Sequence, residues 1–160
     1  MIKKLWLTVS LMLMSHCSFA LSSVDGAATV VGLTGKCMEV KNGQLFNGTE
    51  VILSTCHGGA NQKWFKKGDQ IQTPNGKCLD VKDANSNSGA KIIIWTCHGG
   101  ENQKWRHING TIQNQLGTCL EAVRNNTRDM FPIEAKQCNG SNPQQWRVDV
   151  GVQPQPQPQP

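Results

Sequence analysis

Thr55-Cys56-His57-Gly58-Gly59-Ala60-Asn61-Gln62-Lys63-Trp64 returns as Thr96-Cys97-His98-Gly99-Gly100-Glu101-Asn102-Gln103-Lys104-Trp105, identical at nine of ten positions and displaced by 41 residues. A third, looser copy ends Cys138-Asn139-Gly140-Ser141-Asn142-Pro143-Gln144-Gln145-Trp146. The same step of 41 relates Cys37, Cys78 and Cys119, and also Gly35, Gly76 and Gly117. It relates the acids Glu39, Asp80 and Glu121 as well. A fixed period of this length marks a repeat architecture and outranks any local reading. The copies run over about 28–68, 69–109 and 110–150.

Within each copy the apolar residues alternate with polar ones, the period of a half-buried strand. Met38 and Val40 flank Glu39, and Leu79 and Val81 flank Asp80. Val51 and Leu53, Ile92 and Ile94, and Ile133 and Ala135 mark a further strand. Val30, Ile71 and Ile112 open the first strand of each copy, and the Trp column marks the last. Turn-rich pieces such as Lys41-Asn42-Gly43 and His-Gly-Gly separate them. Four short strands per copy cannot bury an apolar face alone. Three copies about a pseudo-threefold axis can, so the expected fold is all-β, a β-trefoil: a six-stranded barrel capped by three hairpins. Three propeller blades would fall short of the usual minimum of four. The Trp column is read as core. The Gln two residues before each Trp is read as a tie to backbone groups, which need partners when buried.

The 160 residues carry seven Cys, five Trp and a net charge of +5. Lys3 and Lys4, the apolar run Leu5–Met14 and the small-x-small exit Ser18-Phe19-Ala20 read as a secretory signal peptide. The run is too short for a membrane-spanning helix, which needs about 20 residues. A lipidated Cys17 is disfavoured by His16 before it. Residues 21–27 form a short N-terminal segment. Six cysteines then remain in an oxidising compartment, which favours three disulfides. Sequence permits 15 connectivities; the threefold symmetry selects Cys37–Cys56, Cys78–Cys97 and Cys119–Cys138. Each such loop stabilises by roughly 3 kcal/mol on chain-entropy grounds. Zinc at Cys56-His57 and Cys97-His98 is rejected, because adjacent ligands suit a tetrahedral ion poorly. No metal and no cofactor is expected. The basic residues are scattered, which argues against nucleic acid. Membrane insertion is not expected. Nucleophile elbow, phosphate loop and paired carboxylates are absent, so no enzyme is expected.

The Gln-x-Trp motif three times over, the preceding Cys-x-Gly, and Cys78-Leu79-Asp80-Val81 resemble the ricin B-type lectin family. The resemblance spans about 28–150. It implies a β-trefoil that binds sugars, often galactose-type, in shallow pockets, one per repeat at most, and that targets an attached or associated partner. Carried over residue by residue, it assigns the second copy as the competent pocket. Asp80 accepts from adjacent sugar hydroxyls, Trp95 stacks beneath the pyranose ring, Asn102 meets a ring hydroxyl and Gln103 supports the acid. Ile93 stands where the family often has a polar residue, which removes one hydrogen bond.

Alternation points the same way without the family. If Ile92 and Ile94 face the core, Ile93 and Trp95 face outward. An exposed indole beside a carboxylate offers stacking and a charged acceptor, the stronger kind of hydrogen-bond partner. Glu39, Asn61 and Gln62 outline a weaker second site in the first copy, with Ser54 in place of the platform. In the third copy Glu121 remains, but Lys136 and Pro143 replace the aromatic and the Asn, and no sugar site is expected. Partners are therefore glycans, with a catalytic protein partner such as a toxin or hydrolase as a sub-case. The competing reading is a trefoil scaffold that binds protein, for instance a protease inhibitor.

The chain ends Gly-Val followed by four Gln-Pro pairs over 153–160, an extended spacer-like tail. Asn47, Asn109, Asn125 and Asn139 match glycosylation acceptor triplets. Intact-mass measurement of the exported protein should show cleavage after Ala20 and three disulfides. A mature chain that retains residues 1–20 would remove the signal-peptide reading.

Overall fold

The computed structural model describes residues 26–123 and 129–151. The leader, the residues up to 25, Asn125 and the Gln-Pro tail lie outside the described residues. Among the described residues twelve strands follow one another, four per repeat. The first copy holds β1 (Ala28–Gly32), β2 (Cys37–Val40), β3 (Val51–Ser54) and β4 (Phe65–Lys67). The second holds β5 (Gln70–Gln72), β6 (Lys77–Val81), β7 (Ala90–Thr96) and β8 (Trp105–Ile108). The third holds β9 (Thr111–Asn114), β10 (Thr118–Ala122), β11 (Phe131–Gln137) and β12 (Trp146–Val150).

The middle two strands of each copy pair antiparallel: β2 with β3, β6 with β7, β10 with β11. The last strand of each copy pairs with the first of the next, β4 with β5 and β8 with β9. β12 pairs with β1 from Ala28↔Val150 to Gly32↔Trp146, which closes the ring. Closure removes the open edges that a sheet otherwise presents. Around the axis, β11 pairs with both β3 and β7, and an isolated bridge Glu50↔Ile93 joins the first copy to the second. This is the expected β-trefoil.

The alternating positions meet in one core of threefold-related layers: Met38, Leu79 and Leu120; Val51, Ile92 and Ile133; Leu53, Ile94 and Ala135; Trp64, Trp105 and Trp146. Each of these Trp rings is also anchored at its polar end. Its Nε1–H donates to the carbonyl of Met38, Leu79 or Leu120 at 3.0, 2.9 and 2.9 Å. A buried indole keeps its packing only if that N–H finds a partner, so the ring both fills the core and fixes a strand. The three disulfides pair within each copy as expected, with Cα atoms 5.0, 5.1 and 5.0 Å apart.

The Gln column is fully buried. Gln144 Oε1 accepts from the backbone N–H of Asn139 and Gly140, and its Nε2 donates to Glu121 Oε2 and to the carbonyl of Gln137. Four hydrogen bonds use every position a carboxamide offers. Loss of that group would leave several buried polar atoms unpaired, each at about 1–3 kcal/mol. Gln144→Leu is therefore expected to lower unfolding free energy by at least about 2 kcal/mol, measured by urea denaturation. Gln115→Leu, at an exposed loop position, should change it by no more than about 0.5 kcal/mol.

Candidate functional site

A cleft of about 380 Å³ opens on the second copy. Asp80 on β6, Ile93 and Trp95 on β7, and Asn102 after the His-Gly-Gly loop all line it. The structure thus brings together four of the five residues assigned to the main pocket. The fifth, Gln103, lies behind the wall, fully buried, and donates from Nε2 to Asp80 Oδ2 at 2.8 Å.

Trp95 is 41% exposed while its neighbour Ile94 is fully buried, as strand alternation requires. Ile93 lines the cleft on the same face as Trp95 and takes no place in the core cluster, yet it is only 4% exposed. A segment of the first copy pairs alongside it. Gly48 N–H donates to the Ile94 carbonyl, Ile94 N–H donates to the Thr49 carbonyl, and Glu50 bridges Ile93. Ile93 therefore forms an apolar floor instead of a rim.

Asp80 is 3% exposed in an otherwise solvent-facing cleft. Burial pushes its carboxyl above the ordinary aspartate range, against the opposing pull of Gln103, Asn102 and His98. His98 is a residue that sequence reasoning missed. Its Nδ1 accepts from Gly100 N–H at 3.1 Å, which places the proton of the neutral ring on Nε2, and Nε2 stands 3.5 Å from Asp80 Oδ2. The sequence signal is the Cys97-His98 pair, which excludes zinc by its adjacency and marks a turn by the two glycines that follow, and neither reading points to the acid. Gly100 is needed for this geometry, since a Cβ there would come within 2.7 Å of the His98 ring and the Asn102 side chain. The third copy substitutes both at once. Asn139 replaces His, Ser141 replaces Gly, and Asn139 Oδ1 accepts from Ser141 N–H at 2.9 Å.

Three further lining residues, Lys82, Asp83 and Ala84, come from the turn after β6, and Gly48 comes from the first copy. Asp83 and Ala84 both have left-handed backbone, φ 57° and 50°. The first copy relaxes the second position with Gly43; the second copy keeps a methyl group in the cleft, at a conformation that disfavours it.

The weaker site is built differently. Glu39 Oε2 receives Gln62 Nε2 at 2.7 Å and His57 Nε2 at 3.0 Å. The extra methylene of Glu carries the carboxylate closer to the imidazole than Asp80 comes. Asn61 Nδ2 donates to the Val40 carbonyl, the counterpart of Asn102 to Val81. The acid, Asn and Gln are thus assembled, but Ser54 provides no aromatic face. Its neighbour Thr55 is held through N–H and Oγ1 by Asp129 Oδ1 at 2.7 and 2.8 Å. In the third copy Lys136 pairs with Glu134 at 2.8 Å, a charged pair where the second copy has indole and isoleucine.

A closed trefoil with one acid-and-indole cleft has the form of a small-ligand binding domain. The model of the ricin-type beta-trefoil lectin domain matches residues 26–146, and the chain belongs to that family of carbohydrate-binding domains. Among solved structures it is similar to ThreeFoil, a designed threefold-symmetric protein, at 30% identity over 80% of this chain and 100% of that one, TM-score 0.71. It is similar to an exo-β-1,3-galactanase from Clostridium thermocellum at 26% identity, TM-score 0.71, covering 79% of this chain and 30% of the enzyme. It is also similar to a non-toxic homologue of type II RIPs from Momordica charantia, in complex with α-methyl-D-galactoside, at 25% identity, TM-score 0.66, over 78% of this chain and 48% of that one. No curated protein matches the chain.

The raised carboxyl of Asp80 carries a stability consequence. Its folded form binds the proton more tightly than the unfolded chain does, so this group's contribution to stability is greatest below the ordinary aspartate range and is lost as pH rises through the folded value. Asp80→Asn removes that loss. The variant should equal or exceed the parent in unfolding free energy at pH 7, and the difference should vanish in acid. A variant clearly less stable at pH 7, by urea titration at several pH values, would mean that the carboxylate is net stabilising.

Proposed function

We propose that the protein is an exported lectin that binds galactose-type glycans through the cleft of the second copy. The observation that carries this reading is the pairing of a solvent-exposed indole with a buried carboxylate across one cleft. A pyranose presents an apolar CH face and neighbouring hydroxyls. The Trp95 face takes the first, and Asp80 takes the second. Gln103 and His98 both approach Asp80 Oδ2, and with Asn102 they orient the acid that accepts from a sugar hydroxyl. His98 Nε2 and the Asn102 side chain supply further polar contacts at the wall. Ile93 adds apolar floor and no hydrogen bond, so discrimination among hydroxyl epimers rests on the remaining polar groups alone. The galactoside bound by the Momordica charantia protein supports the sugar class.

One such open cleft gives affinity in the millimolar range, about −4 kcal/mol. Biological binding then draws on a multivalent surface or on an associated protein. The galactanase, of which this fold covers 30%, supports a targeting role beside a hydrolase or a secreted toxin subunit. Export rests on the leader at 1–20.

A glycan array on the exported protein should show binding to galactose-terminated glycans. Asp80→Ala and Trp95→Ala should each lower affinity at least about tenfold, since each removes roughly 1.4 kcal/mol or more, while far-UV circular dichroism stays unchanged. Sugar binding that survives Asp80→Ala would sink the assignment. Inhibition of a protease by parent and variant alike would favour the scaffold reading.

A further inference from the structure

The cleft is bounded on one side by a turn that belongs to the first copy. Phe46, Asn47, Gly48 and Thr49 form it, closed by Thr49 N–H to the Phe46 carbonyl at 3.3 Å and by Thr49 Oγ1 to the same oxygen at 3.0 Å. Gly48 occupies the third position with φ 88°, the conformation that a type II turn reserves for glycine. A methyl group on Gly48 would stand 3.7 Å from Cζ3 of the Trp95 indole, so the turn backbone lies against the platform ring. Its position is fixed twice more. Gly48 N–H donates to the Ile94 carbonyl at 2.9 Å, and the Asn47 carboxamide exchanges hydrogen bonds with Thr96 Oγ1 at 3.0 and 3.1 Å.

Phe46 begins this fixed turn and is 59% exposed. It takes no place in the buried core or among the apolar residues packed against it. The turn does not require it, because the second copy builds the same turn with Asn87, closed by Ala90 N–H to the Asn87 carbonyl at 3.2 Å. The aromatic side chain thus occurs on the turn that borders the aromatic platform and is replaced by Asn where the turn borders Lys136, near Gly89.

We infer that Phe46 forms an outer subsite that takes the second saccharide ring of a bound glycan. This rests on the cleft of the second copy being the sugar site. Two residues span at most about 7 Å, so Phe46 stands within that distance of Gly48, which lines the cleft. One glycosidic linkage makes a step of similar size. The cleft holds about 380 Å³, and the turn beside the indole is held in place by the Gly48 and Asn47 hydrogen bonds. A ring linked to the first sugar gains a second stacking face there with little ordering cost, because the turn is already held. The inference makes the site a reader of disaccharide ends across a repeat boundary.

Isothermal titration with methyl β-galactoside, lactose and galactosyl-β-1,3-N-acetylgalactosamine tests it. The parent should bind at least one disaccharide about three- to tenfold more tightly than the methyl glycoside, the worth of one aromatic contact. Phe46→Ala should erase that advantage and leave methyl galactoside affinity unchanged; Phe46→Tyr should retain it. Equal affinity of the parent for all three, or an advantage that persists in Phe46→Ala, overturns the outer subsite and leaves the cleft assignment standing. A parent that binds none of the three overturns both.

Discussion

The structure turns on a buried carboxamide repeated three times. Gln62, Gln103 and Gln144 each sit two residues before a core Trp and have no exposed surface. Each accepts from backbone N–H at the start of its loop and donates to a carbonyl at or just past a strand's end, at Thr55, Thr96 or Gln137. The remaining N–H of each goes to the acid of the preceding hairpin, at 2.7, 2.8 and 2.9 Å. The loop, the disulfide and the acid are thereby locked to the same point. An unsatisfied group there would cost more than the bond itself contributes, which explains why this position is Gln in all three copies while their surfaces differ widely. The orientation of the sugar-binding acid is thus inherited from a folding constraint.

That constraint explains how the copies can diverge without unfolding. The frame supplies an oriented acid three times, and the cleft depends on what stands at the platform position. Trp95 adds an apolar face open to solvent, which does nothing for the core and little for stability. Lys136 instead finds Glu134, an exchange of indole for an ion pair that neutralises the acidic wall of the third copy. Ser54 leaves the first copy with a carboxylate whose hydrogen-bonding capacity is drawn toward His57. Sites built on such a frame can be lost by one substitution at the rim while the fold is untouched.

Period and alternation made most of this legible in the sequence. The 41-residue step located the core, the strand count and the disulfide pairing because all three follow from symmetry. Alternation along Ile92–Trp95 gave the outward indole. Alternation also put Ile93 on the cleft face but not its burial, because the segment that pairs beside it comes from the first copy, slightly more than one repeat earlier, and alternation within a strand carries no information about a neighbouring copy. Gly48 was invisible for the same reason. His98 was missed for a different one: beside a cystine and ahead of two glycines it reads as loop, and its role depends on a tautomer set by Gly100 N–H. The left-handed Asp83–Ala84 pair breaks the expectation that such positions carry glycine, and it does so at the wall of the cleft, where strained backbone tends to persist only when the surroundings fix it.

The cleft therefore combines a rigid wall with an open mouth, and these act on affinity in opposite ways. The disulfides, the carboxamide and the cross-repeat turn leave few side chains to be ordered on binding, which lowers the cost of association. The open mouth limits how much sugar surface can be buried, so one ring cannot convert that advantage into tight binding. Added contact has to come from the rim, and around this cleft the rim is shared between two copies. Closure of the trefoil, usually counted only as a source of stability, places a loop of one repeat against the platform of the next. Specificity can then evolve on the neighbouring repeat while the acid and its carboxamide stay in place.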